Sequence, residues 1–300
     1  MELFSFPFKA MGSPCELRLY SENKSTAKNV ADACIAEVLR LEQKYSRYRE
    51  DSVTTKINNT AGSKSGIDVD DETALLLTYA QVGYEQSDGL FDITSGILRK
   101  VWDFRSNKLP AQNDIDALLP LIGWDQLTWD SPHLVLPRKG MQLDFGGYVK
   151  EYAADVAANV SREKGVHHGM VNLGGDICII GPHPNGDAWK VGIRNPRNPE
   201  QAISFVLLPK GGLASSGDYE RFMFVEGMRY AHILNPKTGW PVNSLAGTSI
   251  CADQCIVAGT SSTIAMLKGE QAGIAWLEQL GLPYFCMNQK QQVFGTIKPV

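Results

Sequence analysis

The spacing of apolar positions changes several times along the chain, and each change marks an element. Near the start Phe4, Phe6 and Phe8 alternate with other residues, as do Cys15, Leu17 and Leu19, which predicts two strands. Beyond Ser25, the expected N-cap, Val30, Ala33, Cys34, Val38, Leu41 and Tyr45 fall at helical spacing. The segment from Asp70 to Gly89 opens on acidic residues and closes on glycine, the signature of a second helix. "NDIDALLPLIG" predicts a short third helix, and "QLTWD", "HLVLP" and "MQLDF" predict short strands between turns.

A further helix is expected from Gly147 through "YVKEYAADVAANVSREKG". Strands resume with "GMVNLGGDICIIG", "AWKVGIR", "ISFVLLP", "GLASSG" and "RFMFVEG". The stretch from Ile264 to Leu280 reads as helix with a break at Gly269, and "PYFCMN" and "QVFGTI" close as strands. Strands and helices mixed in this order predict an α+β fold and not a regular βαβ winding. Without repeats or low-complexity linkers, residues 1–300 are expected to form a single domain.

Bulk properties narrow the function. Apolar residues at 43% and charged residues at 21% suit a globular enzyme with a sizeable core. A net charge of −4 and no basic run give no reason to expect a nucleic-acid partner. The six cysteines are scattered, and the closest two, Cys251 and Cys255, have poor zinc spacing; buried thiols in a reducing compartment are expected. The opening residues hold no signal-peptide-like run and no membrane span, which points to a cytoplasmic protein.

The candidate chemistry lies in four glycine-punctuated stretches: "SDGLFDITSG", "LDFGGYVKEYAAD", "VNLGGDICIIG" and "AHILNPKTGWPVNS". Glycines between a strand and a helix let backbone approach a phosphate, and a helix N-terminus favours an anion. No dinucleotide fingerprint and no P-loop occur, so the usual nucleotide folds are unsupported. A fifth stretch, Ala258-Gly259-Thr260-Ser261-Ser262-Thr263, spends a whole turn on small and hydroxyl residues. It fits either an N-capped helix or a helix end facing a phosphate or a metal.

In their order and spacing these blocks, with "KAMGSPCEL", "YSRYREDSVTTKIN" and "SSGDYERF", resemble the ApbE family, the FAD:protein FMN transferases. The resemblance implies an α+β fold of two related sheet-and-helix halves with a FAD cleft between them. It implies transfer of FMN from FAD to a Thr or Ser hydroxyl of a target flavoprotein, with release of AMP and with Mg²⁺. Met11, Tyr48, Leu90, Phe91, Asp92, Asp144, Lys150, His232 and Ile233 match the family's FAD-contacting positions, with Lys150 and His232 as the catalytic pair. Gly147, through its carbonyl, and Thr263 match magnesium ligands.

One departure stands out in the fifth stretch. Gly259 occupies the position of the family's metal-binding Asp, one helical turn before Thr263. A lost carboxylate should weaken a magnesium site, which leaves a FAD-binding paralogue or a FAD pyrophosphatase as alternative readings. Asp253 is the nearest carboxylate in sequence and the expected replacement, and positive φ at Gly259 is the expected obstacle to restoring an Asp there. Asp176 and Asp218 each follow a glycine and rank second, as ordinary turn aspartates.

Overall fold

The computed structural model describes residues 1–299. Its centre is an eight-stranded sheet whose neighbouring strands all run antiparallel. From edge to edge the strands are Glu2–Ala10, Ser13–Ser21, Gly169–Leu173, Asp176–Gly181, Gly211–Gly217, Leu245–Ala252, Tyr284–Asn288 and Val293–Gly295. The helices are α1 (Lys24–Tyr45), α2 (Val53–Asn59), α3 (Asp71–Gln86), α4 (Gln112–Leu118), α5 (Val149–Glu163), α6 (Cys255–Lys268) and α7 (Glu270–Leu280). The α+β expectation holds. The first four strands carry α1 and α5, the last four carry α6 and α7, and the halves join where Leu213 pairs with Ile177.

Side-chain alternation explains the layers. On Asp176–Gly181, Cys178 and Ile180 face the helices, whereas Ile177 and Ile179 enter a second core. That second core is closed by a hairpin of Trp189–Asn195 with Asn198–Leu208, which buries Trp189, Val191 and Ile193. A third cluster gathers Ile97, Leu98, Trp102, Ile115, Ile122 and Met223 away from the main sheet. All six cysteines are buried free thiols, and among the described residues no helix is long and apolar enough to cross a membrane.

Several local expectations are corrected. The cap of α1 is Asn23, whose side chain accepts from the Thr26 N–H, and not Ser25. "MQLDF" joins no sheet, because the Asn58 amide takes both Leu143 backbone groups, donating to its carbonyl at 3.0 Å and accepting from its N–H at 2.7 Å. Helix α6 begins at Cys255 and not near Ile264, so the small hydroxyl-rich run lies inside it. That run is buried on nearly every side, which erases the amphipathic period that would have announced a helix.

Helix α6 has no side-chain cap of its own. The Asp155 carboxylate, reaching from α5, accepts the N–H groups of Cys255 and Ile256 at 2.8 and 2.9 Å. It satisfies two orphan donors and places negative charge at the positive end of the helix dipole. Asp155→Ala should therefore lower unfolding stability by about 1–2 kcal/mol, the range for loss of a cap. Asp155→Asn, which keeps one acceptor oxygen, should lose less in urea denaturation; equal losses would mean that the carboxylate does not cap α6.

Candidate active site

The first turn of α5, the start of the strand Asp176–Gly181 and the middle of α6 meet on the helix-covered side of the sheet. Lys150 and Glu151 lie in the first turn of α5. Asp176 opens its strand on the same face as Cys178, and Lys150 forms an ion pair with it. Gly174 and Gly175, with φ of 64° and 103°, make the turn that delivers Asp176. A Cβ on Gly174 would stand 2.7 Å from the Ser13 Cβ and 3.9 Å from Lys150 Nζ, so the backbone approaches the ammonium closely. Burial works against the charge on Lys150, but Asp176 outweighs it and raises the pKa; the ammonium stays charged.

His232 lies within the field of Arg99, Arg221 and Lys150. Its Nδ1 lies 3.2 Å from the Arg221 carbonyl, which assigns the ring proton to Nδ1 and leaves Nε2 a free acceptor. Burial, reinforced by the positive charges of Arg99 and Arg221, lowers its pKa to about 4. The imidazole is therefore neutral at neutral pH, beside two guanidiniums and the Lys150 ammonium. A neutral acceptor within a cationic recess suits an anionic substrate that must give up a proton nearby.

The other expected residues fall into two groups. Met11 sits half-buried at a turn with φ of 51°, held by its N–H donating to Glu42 at 2.7 Å, and the next residue, Gly12, faces the Arg221 guanidinium. Phe91 is buried with its ring 6.0 Å from that of Tyr148, Ile233 is buried, Leu90 is half-buried, and Gly147 is exposed just before α5. Tyr48 is 80% exposed, with the Arg47 guanidinium 6.0 Å from its ring, so nothing in the protein fixes its face.

The carboxylates divide more sharply. Asp144 pairs with Arg47 at 2.9 Å, stands 3.8 Å from Arg99 and accepts from the Gly146 N–H. It holds two cations in place at the approach to α5. Asp92 is turned inward: one oxygen accepts from the Thr94 N–H and hydroxyl, the other from the Trp124 N–H. Its visible work is to cap the 3-10 helix Ile93–Lys100. Asp218 is closed by Arg197 at 2.7 and 2.8 Å with Gln289 beside it, a structural node; Asp176, ranked with it from sequence, belongs to the site.

On α6 the Thr263 hydroxyl lies 3.1 Å from that of Ser216. One turn earlier Gly259 has ordinary helical φ, so positive φ is not the obstacle to a side chain there. A Cβ at this position would lie 2.5 Å from Glu151 Cγ and 2.7 Å from Glu151 Oε1. Asp253 points away, its side chain 88% exposed and 3.5 Å from Lys210, so the expected replacement carboxylate is not in the site. Among the described residues no three His, Cys, Asp or Glu side chains form a ready metal cage. The donors at hand are hard oxygens, including the buried and unpartnered Oε2 of Glu151, and that set fits Mg²⁺ completed by substrate phosphates.

Sequence reasoning missed Arg47, Arg99, Arg221 and Glu151. Arginines scattered over the chain give no local signal. Glu151 does: with Ala154 and Ala158 it falls on the buried face of α5, where an acid is out of place.

The chain is similar to known proteins along nearly its whole length. The ApbE family profile matches residues 11–286. The FAD:protein FMN transferase of Klebsiella pneumoniae is 29% identical over 283 residues, covering 92% of this chain and 86% of that protein. The Vibrio cholerae enzyme of the same name is 26% identical over 288 residues, covering 92% and 85%. The crystal structure of the ApbE protein from Thermotoga maritima has a TM-score of 0.90 at 27% identity, covering 98% of this chain and 97% of that one. The apo Pseudomonas stutzeri flavinyl transferase ApbE gives 0.87 at 28% identity, covering 99% and 95%. With its profile matched from Met11 to Cys286 and its fold shared from end to end, this chain belongs to the ApbE family.

Proposed function

We propose that the chain, as one domain, is a FAD:protein FMN transferase acting in the cytoplasm on a flavoprotein with a Thr or Ser acceptor. The observation that carries the reading is the cationic recess of Lys150, Arg99 and Arg221 around a neutral His232, in a chain of this family. Lys150, and the arginines oriented by Asp144, hold the pyrophosphate of FAD. Met11, Tyr48, Leu90, Phe91 and Ile233 line the place of the ring, and Asp92 shapes that wall through its cap.

The acceptor hydroxyl attacks the FMN-side phosphorus, its proton passes to His232 Nε2, and the bond to the bridging oxygen breaks to release AMP. The transferred group carries little covalent chemistry for the protein to perform, so positioning and charge neutralisation do most of the work. A Mg²⁺ ion near the Gly147 carbonyl and Thr263 would supply further neutralisation of the phosphates.

Incubation with FAD, Mg²⁺ and a Thr-bearing acceptor should add the mass of FMN to the acceptor, read by intact mass spectrometry. Release of AMP and FMN without acceptor labelling would replace the reading with FAD hydrolysis, and FAD binding with no turnover would replace it with flavin storage. Lys150→Ala should weaken FAD binding about tenfold or more, the effect of removing a charge-assisted partner. His232→Ala should slow transfer with FAD affinity nearly kept; matching losses in both variants would overturn the division of roles.

His232 also makes a pH signature. Its pKa in the folded chain, about 4, lies below the ordinary 6.5, so the unfolded chain binds the proton more readily. Its contribution to stability is intact above the ordinary value and is lost as pH falls from 6.5 to about 4. His232→Ala should flatten that part of the stability–pH curve; an unchanged slope would place the imidazole in water.

A further inference from the structure

Glu151 has no assigned task in the transfer, and its setting is unfavourable. It is only 9% exposed, its Oε2 meets no N–H or O–H donor, and its carboxyl neighbour is Asp176, a second acid. A carboxylate oxygen buried without a partner costs free energy that packing does not return. The Lys150 ammonium pairs with Asp176 and only partly offsets the charge of the buried Glu151.

Its position relative to α6 is specific. Glu151 Cγ and Oε1 stand 2.5 and 2.7 Å from where a Cβ of residue 259 would be, so the side chain from α5 occupies the volume that a side chain at 259 would need. Residues four apart on a helix share a face with Cβ atoms about 5–6 Å apart, which puts this carboxylate beside Thr263. One ion with oxygen ligands at about 2.1 Å bridges such a gap.

Resting on the transferase reading, we infer that Glu151 supplies from α5 the anionic oxygen that α6 lacks at Gly259, and so holds a divalent cation together with Thr263. The carboxylate has changed helices and kept its place. The pairing is also close: a side chain at 259 would require Glu151 to move from its present position.

The test is Mn²⁺ titrated into the full-length protein holding FAD, with free Mn²⁺ read by electron paramagnetic resonance. Glu151→Gln, nearly isosteric, should weaken Mn²⁺ binding by at least about tenfold, a loss that even outer partners of a metal site can cause. Its thermal midpoint and metal-free FAD affinity should stay close to the parent's. Gly259→Asp alone should lower the thermal midpoint, because the new side chain meets Glu151. Glu151→Gly combined with Gly259→Asp should regain Mn²⁺ binding. Parent-like Mn²⁺ binding by Glu151→Gln, or no binding by the parent, overturns the inference. Weakened Mn²⁺ binding in Glu151→Gln, with a parent that transfers no FMN to an acceptor, supports the cation site and removes the transferase reading instead.

Discussion

The contact on which the rest depends is the carboxylate of Asp155 at the start of α6. A helix buried on nearly all sides cannot draw on solvent for its first N–H groups, and this one carries no cap of its own. By accepting from Cys255 and Ile256, Asp155 fixes where α6 begins and how it is rotated against α5. Everything of chemical interest on α6 follows from that rotation. It turns Gly259 towards Glu151 and Thr263 towards Ser216. The small residues of the turn are what allow so close an approach of the two helices.

Charge is distributed by a second rule. Where a buried ion pair is structural, it is closed: Asp218 is gripped on both oxygens by Arg197, with Gln289 filling in. Around His232 the balance is left positive. Arg99 stands 3.8 Å from Asp144, whose nearer partner is Arg47, and the field is strong enough to help deprotonate the imidazole. Excess charge of one sign in a partly buried recess destabilises the fold, and binding an anion relieves it.

The strands were legible in the sequence because their alternation is a direct imprint of two different cores, as with Ile177 and Ile179 against Cys178 and Ile180. Helix α1 was legible for the corresponding reason, its one apolar face, and α3 from its acidic opening and closing glycine. The first part of helix α6 was hidden because burial on nearly all sides leaves no period to read. "MQLDF" misled because an asparagine side chain can pair with a backbone as a strand does. In the candidate site, Lys150 and His232 sit in recognisable blocks. Its arginines were not legible, since three distant segments contribute one each, and neither was the inward turn of Asp92.

Gly259 shows why a motif read along one helix gives the wrong unit of account. Coordination requires an anionic oxygen at a point in space, and the chain that delivers it is immaterial to the ion. Asp253, six residues away, is near in sequence and useless in space, its carboxylate 88% exposed beside Lys210. Glu151, more than a hundred residues away, fills the volume left by the missing side chain. The longer reach of Glu suits delivery from the neighbouring helix, and the glycine is then a requirement of packing, not a gap. On this inference, the departure from the family pattern at 259 moves a carboxylate from α6 to α5 and keeps it beside Thr263.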